Sequence, residues 1–166
     1  KTETSVDDSK DTSSDKDEGK KPVFKSKVNN ELPTLVENGT QTLENVAEFY
    51  LEYTKITKKV NPPSPSSYYS YYEAADGKTY IDICFSYKNL ESSAVEADTV
   101  ISGTLYYGEK YSYSGFSVIE EDNRGDFTYT NITDISPLTT EYLHYLFEIP
   151  EELESSSYSL IAEISI

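Results

Sequence analysis

Downstream of residue 45, apolar side chains return at every second position in stretch after stretch, whereas residues 1–27 contain no Leu, Ile or Tyr. A period of two is the mark of a β-strand with one buried face. From Val46 to Val60 the alternation runs through Phe49, Leu51 and Tyr53, and predicts a strand over 48–58. Leu43, Val46, Ala47 and Tyr50 also fit a helical stripe over 42–53; the Tyr, Thr and Ile content argues for strand. Residues 28–45 read as transitional, with turn signals at Pro33 and Asn38-Gly39.

The run Asn61-Pro62-Pro63-Ser64-Pro65-Ser66 can neither pair in a sheet nor continue a helix, and predicts a loop. Tyr68–Glu73 and Thr79–Lys88 then flank Asp76-Gly77, a hairpin signature because both turn residues tolerate positive φ. In the second of these strands Ile81, Ile83, Phe85 and Tyr87 form the expected core face; Tyr80, Asp82, Cys84 and Ser86 point the other way. A second hairpin is expected between Thr99–Tyr107 and Tyr111–Glu120 around Gly108-Glu109-Lys110. Phe127–Ile132 reads as a further strand. Leu143, Tyr145, Phe147 and Ile149 line one face of the next, which Pro150 stops. Tyr158, Leu160, Ala162, Ile164 and Ile166 alternate to the end of the chain. Many short, evenly spaced strands without βαβ alternation predict an all-β sandwich or barrel of about seven to nine strands.

Composition divides the chain into residues 1–40, a polar tether, and residues 41–166, a β domain. Residues 1–27 cannot bury enough apolar surface to offset the entropy of ordering their backbone, so a disordered tether is expected. Within them seven Lys balance seven Asp and Glu, and the domain therefore carries the whole net charge of −16. Such a surface repels phosphate backbones, and nucleic acid is not an expected partner. The absence of Met suggests that an N-terminal piece, such as a signal peptide, has been removed. Cys84 is the lone cysteine, which excludes an intrachain disulfide and a cysteine-rich zinc site.

Gly77-Lys78-Thr79-Tyr80-Ile81-Asp82-Ile83 leads into a central strand that leaves at Lys88-Asn89. With Leu146-Phe147-Glu148-Ile149-Pro150 and the alternating C-terminal strand, it resembles the telokin-like, immunoglobulin-like domains of bacterial secreted lipoproteins and antigens. The resemblance covers roughly residues 46–166. It implies an immunoglobulin-like sandwich and an exported, cell-surface protein, with membrane contact only through a lipid anchor upstream of residue 1.

Chemistry-bearing residues are sparse. His144, the one histidine, is expected on a solvated strand face, with no nucleophile signature near it in sequence. Cys84 has no basic neighbour in sequence and reads as a structural thiol. The stretch Glu120-Glu121-Asp122-Asn123-Arg124-Gly125-Asp126 resembles a calcium loop only loosely, since Arg124 fills a ligand position, and a solvated turn is expected. It also contains an integrin-like Arg124-Gly125-Asp126. Asn38-Gly39-Thr40 and Asn131-Ile132-Thr133 match glycosylation sequons, which matter only in a eukaryotic secretory pathway.

The tyrosines are the stronger lead. Tyr68, Tyr69, Tyr71 and Tyr72 would place aromatics on both faces of one strand, and Tyr106, Tyr111 and Tyr113 repeat the pattern in the second hairpin. Tyrosine offers a flat apolar face and a polar tip with few rotors to freeze, so Tyr/Ser mixtures make effective binding surfaces. The expected function is a non-catalytic binding module for a cell-surface glycan or protein, with no cofactor and no metal. Two alternatives stay open: a carboxylate-based hydrolase or metal-dependent enzyme, and a structural spacer in a surface assembly.

Overall fold

The computed structural model describes residues 38–165 except 66, 109, 122 and 156–159. The tether expected over 1–40 therefore lies almost wholly outside the described residues. The rest is a β-sandwich, one of the two all-β forms open to the alternating pattern and the one the resemblance implies. In chain order the strands are β1 (Thr40–Leu43), β2 (Ala47–Thr57), β3 (Lys59–Val60), β4 (Tyr72–Glu73), β5 (Lys78–Asn89), β6 (Val95–Glu96), β7 (Ser102–Tyr107), β8 (Tyr111–Ser114), β9 (Phe116–Glu120), β10 (Phe127–Tyr129), β11 (Asp134–Ile135), β12 (Thr140–Pro150) and β13 (Leu160–Ser165). Two 3₁₀ turns, Thr130–Ile132 and Glu151–Leu153, complete the described elements.

One layer is an antiparallel sheet in the order β1-β2-β5-β12-β9-β10, and β13-β7-β8 forms a smaller sheet. The core between them holds Phe49, Leu51, Ile81, Ile83, Phe85, Tyr87, Leu105, Leu143, Tyr145, Phe147 and Ile149. This is the face that period-two parity selects on β5 and β12. Leu160, Ala162 and Ile164 of β13 pack against it from the second sheet.

Part of the other face of the large sheet is buried as well. Val60, Tyr80, Val118, Phe127 and Leu146 form a second, smaller core there, with Tyr72 and Ala74 packed on it. The cover comes from the segment between β2 and β5, which folds back as the two-stranded ribbon β3–β4. This corrects the predicted first hairpin. The turn before β5 forms, with Gly77 at φ +72°, but β4 pairs with β3, while β5 pairs with β2 and β12. Tyr68–Tyr71 precede β4 and lie in no strand.

The second predicted hairpin forms as β7–β8, yet the strand beyond it changes sheets. Gly115 separates β8 from β9, and β9 joins the large sheet beside β12. Backbone crowding explains the glycine. A Cβ there would sit 2.5 Å from a Tyr145 ring carbon and 2.6 Å from the Leu146 carbonyl oxygen. The Phe127–Ile132 strand is shorter than predicted, giving way to a 3₁₀ turn at Thr130.

A bulge in β2 sets up the functional geometry. Leu51 pairs with Phe85 and Tyr53 with Cys84, so Glu52 is the extra residue. Each bulge residue shifts the alternation by one and turns all later side chains to the opposite face. Tyr53 and Lys55 would otherwise share the core face with Phe49 and Leu51. The bulge carries them to the outer face, opposite Cys84 and Asp82.

Candidate functional site

Four adjacent strands bring their outward-facing polar residues into one line. Cys84 and His144 are directly opposed on β5 and β12, Glu120 ends β9, and the bulged β2 supplies Tyr53 and Lys55. His144 Nδ1 lies 2.7 Å from Asp82 Oδ1, and Nε2 lies 2.9 Å from Glu120 Oε1 and 3.7 Å from Cys84 Sγ. The line continues at both ends. Lys55 Nζ is 3.1 Å from Asp82 Oδ2, and the Arg124 guanidinium grips both oxygens of Glu120 while its flat face lies 3.8 Å over the Tyr142 ring.

His144, Cys84 and Asp82 have no exposed surface, and Glu120 has almost none. Phe127 packs its ring edge-to-face on the imidazole at 5.1 Å, and Tyr53 does the same at 6.1 Å. Burial favours the neutral imidazole, but the hydrogen bonds to Asp82, Cys84 and Glu120 outweigh it and push the His144 pKa up to about 11. Burial also raises the Glu120 carboxyl. The hydrogen bonds from His144 and Arg124 overcome that and leave it below the usual carboxylate range. The cluster is thus a chain of alternating charge: lysine, aspartate, imidazolium, glutamate, arginine.

These observations revise several expectations. His144 is not on a solvated face, because the Phe127 and Tyr53 rings pack on the imidazole while Asp82, Cys84 and Glu120 enclose its nitrogens. Cys84 does have a basic neighbour, contributed by a strand 60 residues away. The turn after β9 is not wholly solvated, since Glu120 and Gly125 are buried. Arg124-Gly125-Asp126 is built into the fold rather than presented. Arg124 is paired, the Gly125 N–H donates to Asn123 Oδ1, and Asp126 accepts from the backbone of Ser70 and Phe127. Nothing in local sequence joins these groups, but one signal was there: Tyr80, Cys84 and Leu146 on a nominally polar face suggest a strand covered on both sides.

The tyrosines divide. Tyr72 is structural, its ring 5.3 Å from Phe116 and 5.9 Å from Phe127. Tyr68 and Tyr71 are 90% and 47% exposed, and half-buried Tyr69 lies 6.2 Å from Tyr71, ring to ring. Lys59 Nζ sits 3.6 Å from the Tyr71 ring centroid, a cation–π contact. The segment bearing these rings is fastened at two points to the turn between β9 and β10: Ser64 N–H donates to the Arg124 carbonyl and Ser70 N–H to Asp126 Oδ1. Because Tyr68–Tyr71 are not a strand, strand parity does not sort their faces. Tyr106, Tyr111 and Tyr113 belong to the other sheet, with Tyr113 packed against the main core and Tyr111 exposed. The structure does not unite the two groups in one surface.

An open groove of about 390 Å³ runs beside β9, lined by Glu120, Glu121, Asn123, Thr128, Asp134 and Glu141 among others. Its one deeply buried acid, Glu120, is already held by His144 and Arg124.

No protein-family model matches the chain, and no curated protein matches it. Among solved structures it is similar to an uncharacterized β-sandwich protein from Clostridium difficile 630, at 26% identity and a TM-score of 0.74, covering 80% of this chain and 86% of that one. A conserved hypothetical protein from Bacillus anthracis aligns at 13% identity and a TM-score of 0.50, over 77% of this chain and 88% of the other, and supports the fold alone. The chain is similar in architecture to a crystallised bacterial β-sandwich.

Proposed function

We propose that this domain is a non-catalytic binding module of an exported bacterial surface protein, and that its ligand-contacting element is the loop carrying Tyr68, Tyr69 and Tyr71. The observation that carries this reading is the fastening of exposed aromatics to a rigid sheet. Binding loses free energy whenever a loop must be ordered first, and hydrogen bonds at Ser64 and Ser70 have already fixed this one. Lys59 beside Tyr71 adds a charged donor to the aromatic face. Sealing of the titratable cluster also supports binding over hydrolysis, because a general acid or base must reach its substrate. The immunoglobulin-like assignment and surface location rest on the resemblance seen in the sequence.

The test is a glycan and peptidoglycan-fragment binding screen on the full chain, followed by Tyr68→Ala and Tyr71→Ala. Each exposed anchor is expected to cost about 1–2 kcal/mol of affinity and to change stability by no more than ~0.5 kcal/mol. Tyr72→Ala serves as the converse control, losing stability through its contacts with Phe116 and Phe127. Undiminished binding in both loop variants would remove these tyrosines from the ligand site.

A further inference from the structure

We propose that Cys84, His144 and Glu120 constitute a buried site for one divalent transition-metal ion of the zinc type. The three donor atoms come from adjacent strands and all lie within 4.8 Å of one another. His144 Nε2 is 3.7 Å from Cys84 Sγ and 2.9 Å from Glu120 Oε1. Zinc–ligand bonds of about 2.0–2.3 Å in tetrahedral array set donors roughly 3.4–3.6 Å apart. The sulfur is therefore already at bonding separation, and the carboxylate has to withdraw by about half an ångström. Thiolate, imidazole and carboxylate together suit a borderline-soft ion and not calcium or magnesium, which take oxygen.

The surroundings fit the same ion. A metal-bound histidine characteristically gives its second ring nitrogen to a carboxylate, which fixes the ring and raises its basicity. Asp82 occupies that position at 2.7 Å from Nδ1, itself braced by Lys55. Arg124 braces Glu120 from outside the set. The Tyr53 hydroxyl donates to Asp82, 3.4 Å from Oδ2, and its ring packs on the imidazole. An entering divalent ion replaces the proton on Nε2 and the proton on Sγ, so the charge of the cluster is unchanged and Lys55 and Arg124 need not move.

The experiment is a titration of the metal-free full chain, refolded from denaturant after chelation, with Co²⁺. Expected are one ion per chain, a thiolate-to-cobalt absorption band, intense visible bands of a four-coordinate ion, and loss of both spectra on adding Zn²⁺. Asp82→Asn should weaken Co²⁺ binding by about 10–100-fold. Cys84→Ser should remove the thiolate band, and Cys84→Ala repeats the measurement if the serine variant does not fold. A folded wild-type chain that binds no Co²⁺, or binds it without a thiolate band, overturns the site. So does a band that survives removal of Cys84.

Discussion

Replacing His144 by alanine is expected to lower the unfolding free energy by about 3–5 kcal/mol, the range for removing one partner from a buried ionic set. The imidazole is the middle link between two carboxylates that water cannot reach. Without it, Asp82 retains Lys55 and Glu120 retains Arg124, each from one side only, and the two acids repel across a cavity the ring once filled. Urea unfolding of the metal-free chain measures the effect. A loss below 1 kcal/mol would mean that water or another cation already reaches the acids.

Gly115→Ala is expected to destabilise by about 1–3 kcal/mol, the range for overpacking a filled interior. The new methyl would meet the Leu146 carbonyl oxygen and the Tyr145 ring, both well inside contact distance. Leu146 pairs with Phe116, the residue following the glycine, so its carbonyl cannot retreat without loosening the ladder that attaches β9. Gly103 is the informative comparison. A Cβ there meets chiefly the tip of Ile164, at 2.6 Å, which can rotate aside. Gly103→Ala should therefore cost measurably less in the same denaturation assay. Equal losses would show that Tyr145, which neighbours both glycines, and not the Leu146 backbone, is the obstacle.

The core face of the sandwich was legible because β5 and β12 alternate without interruption through Ile81–Tyr87 and Leu143–Ile149. The outer face was not, for two physical reasons. Alternation marks which side is apolar but cannot say whether the polar side meets water, and here the β3–β4 ribbon covers part of it. The extra residue at Glu52 inverts the parity of β2, so Tyr53 and Lys55 reach a face that unbroken alternation denies them. His144 also depends on partners 24 and 62 residues distant in sequence. Only pairing between strands joins them. Asp76-Gly77 did form its turn, but a turn signal does not say which strands pair across it. Exposed Tyr68 and Tyr71 were legible as candidates, and their separation from structural Tyr72 needed the three-dimensional contacts.

Because β5 and β12 are paired along eleven residues, the buried charges also discriminate against misfolded sandwiches. Sliding β12 by one residue would turn His144 into the main core and bring Leu143 or Tyr145 outward. Asp82 would then face hydrocarbon where it now meets a cation. Among all the ways two apolar alternating strands can lie side by side, several would bury similar area. In the native alignment His144 meets both carboxylates at once. A one-residue slide of β12 therefore carries a charge-burial cost that the apolar alternation alone would not impose.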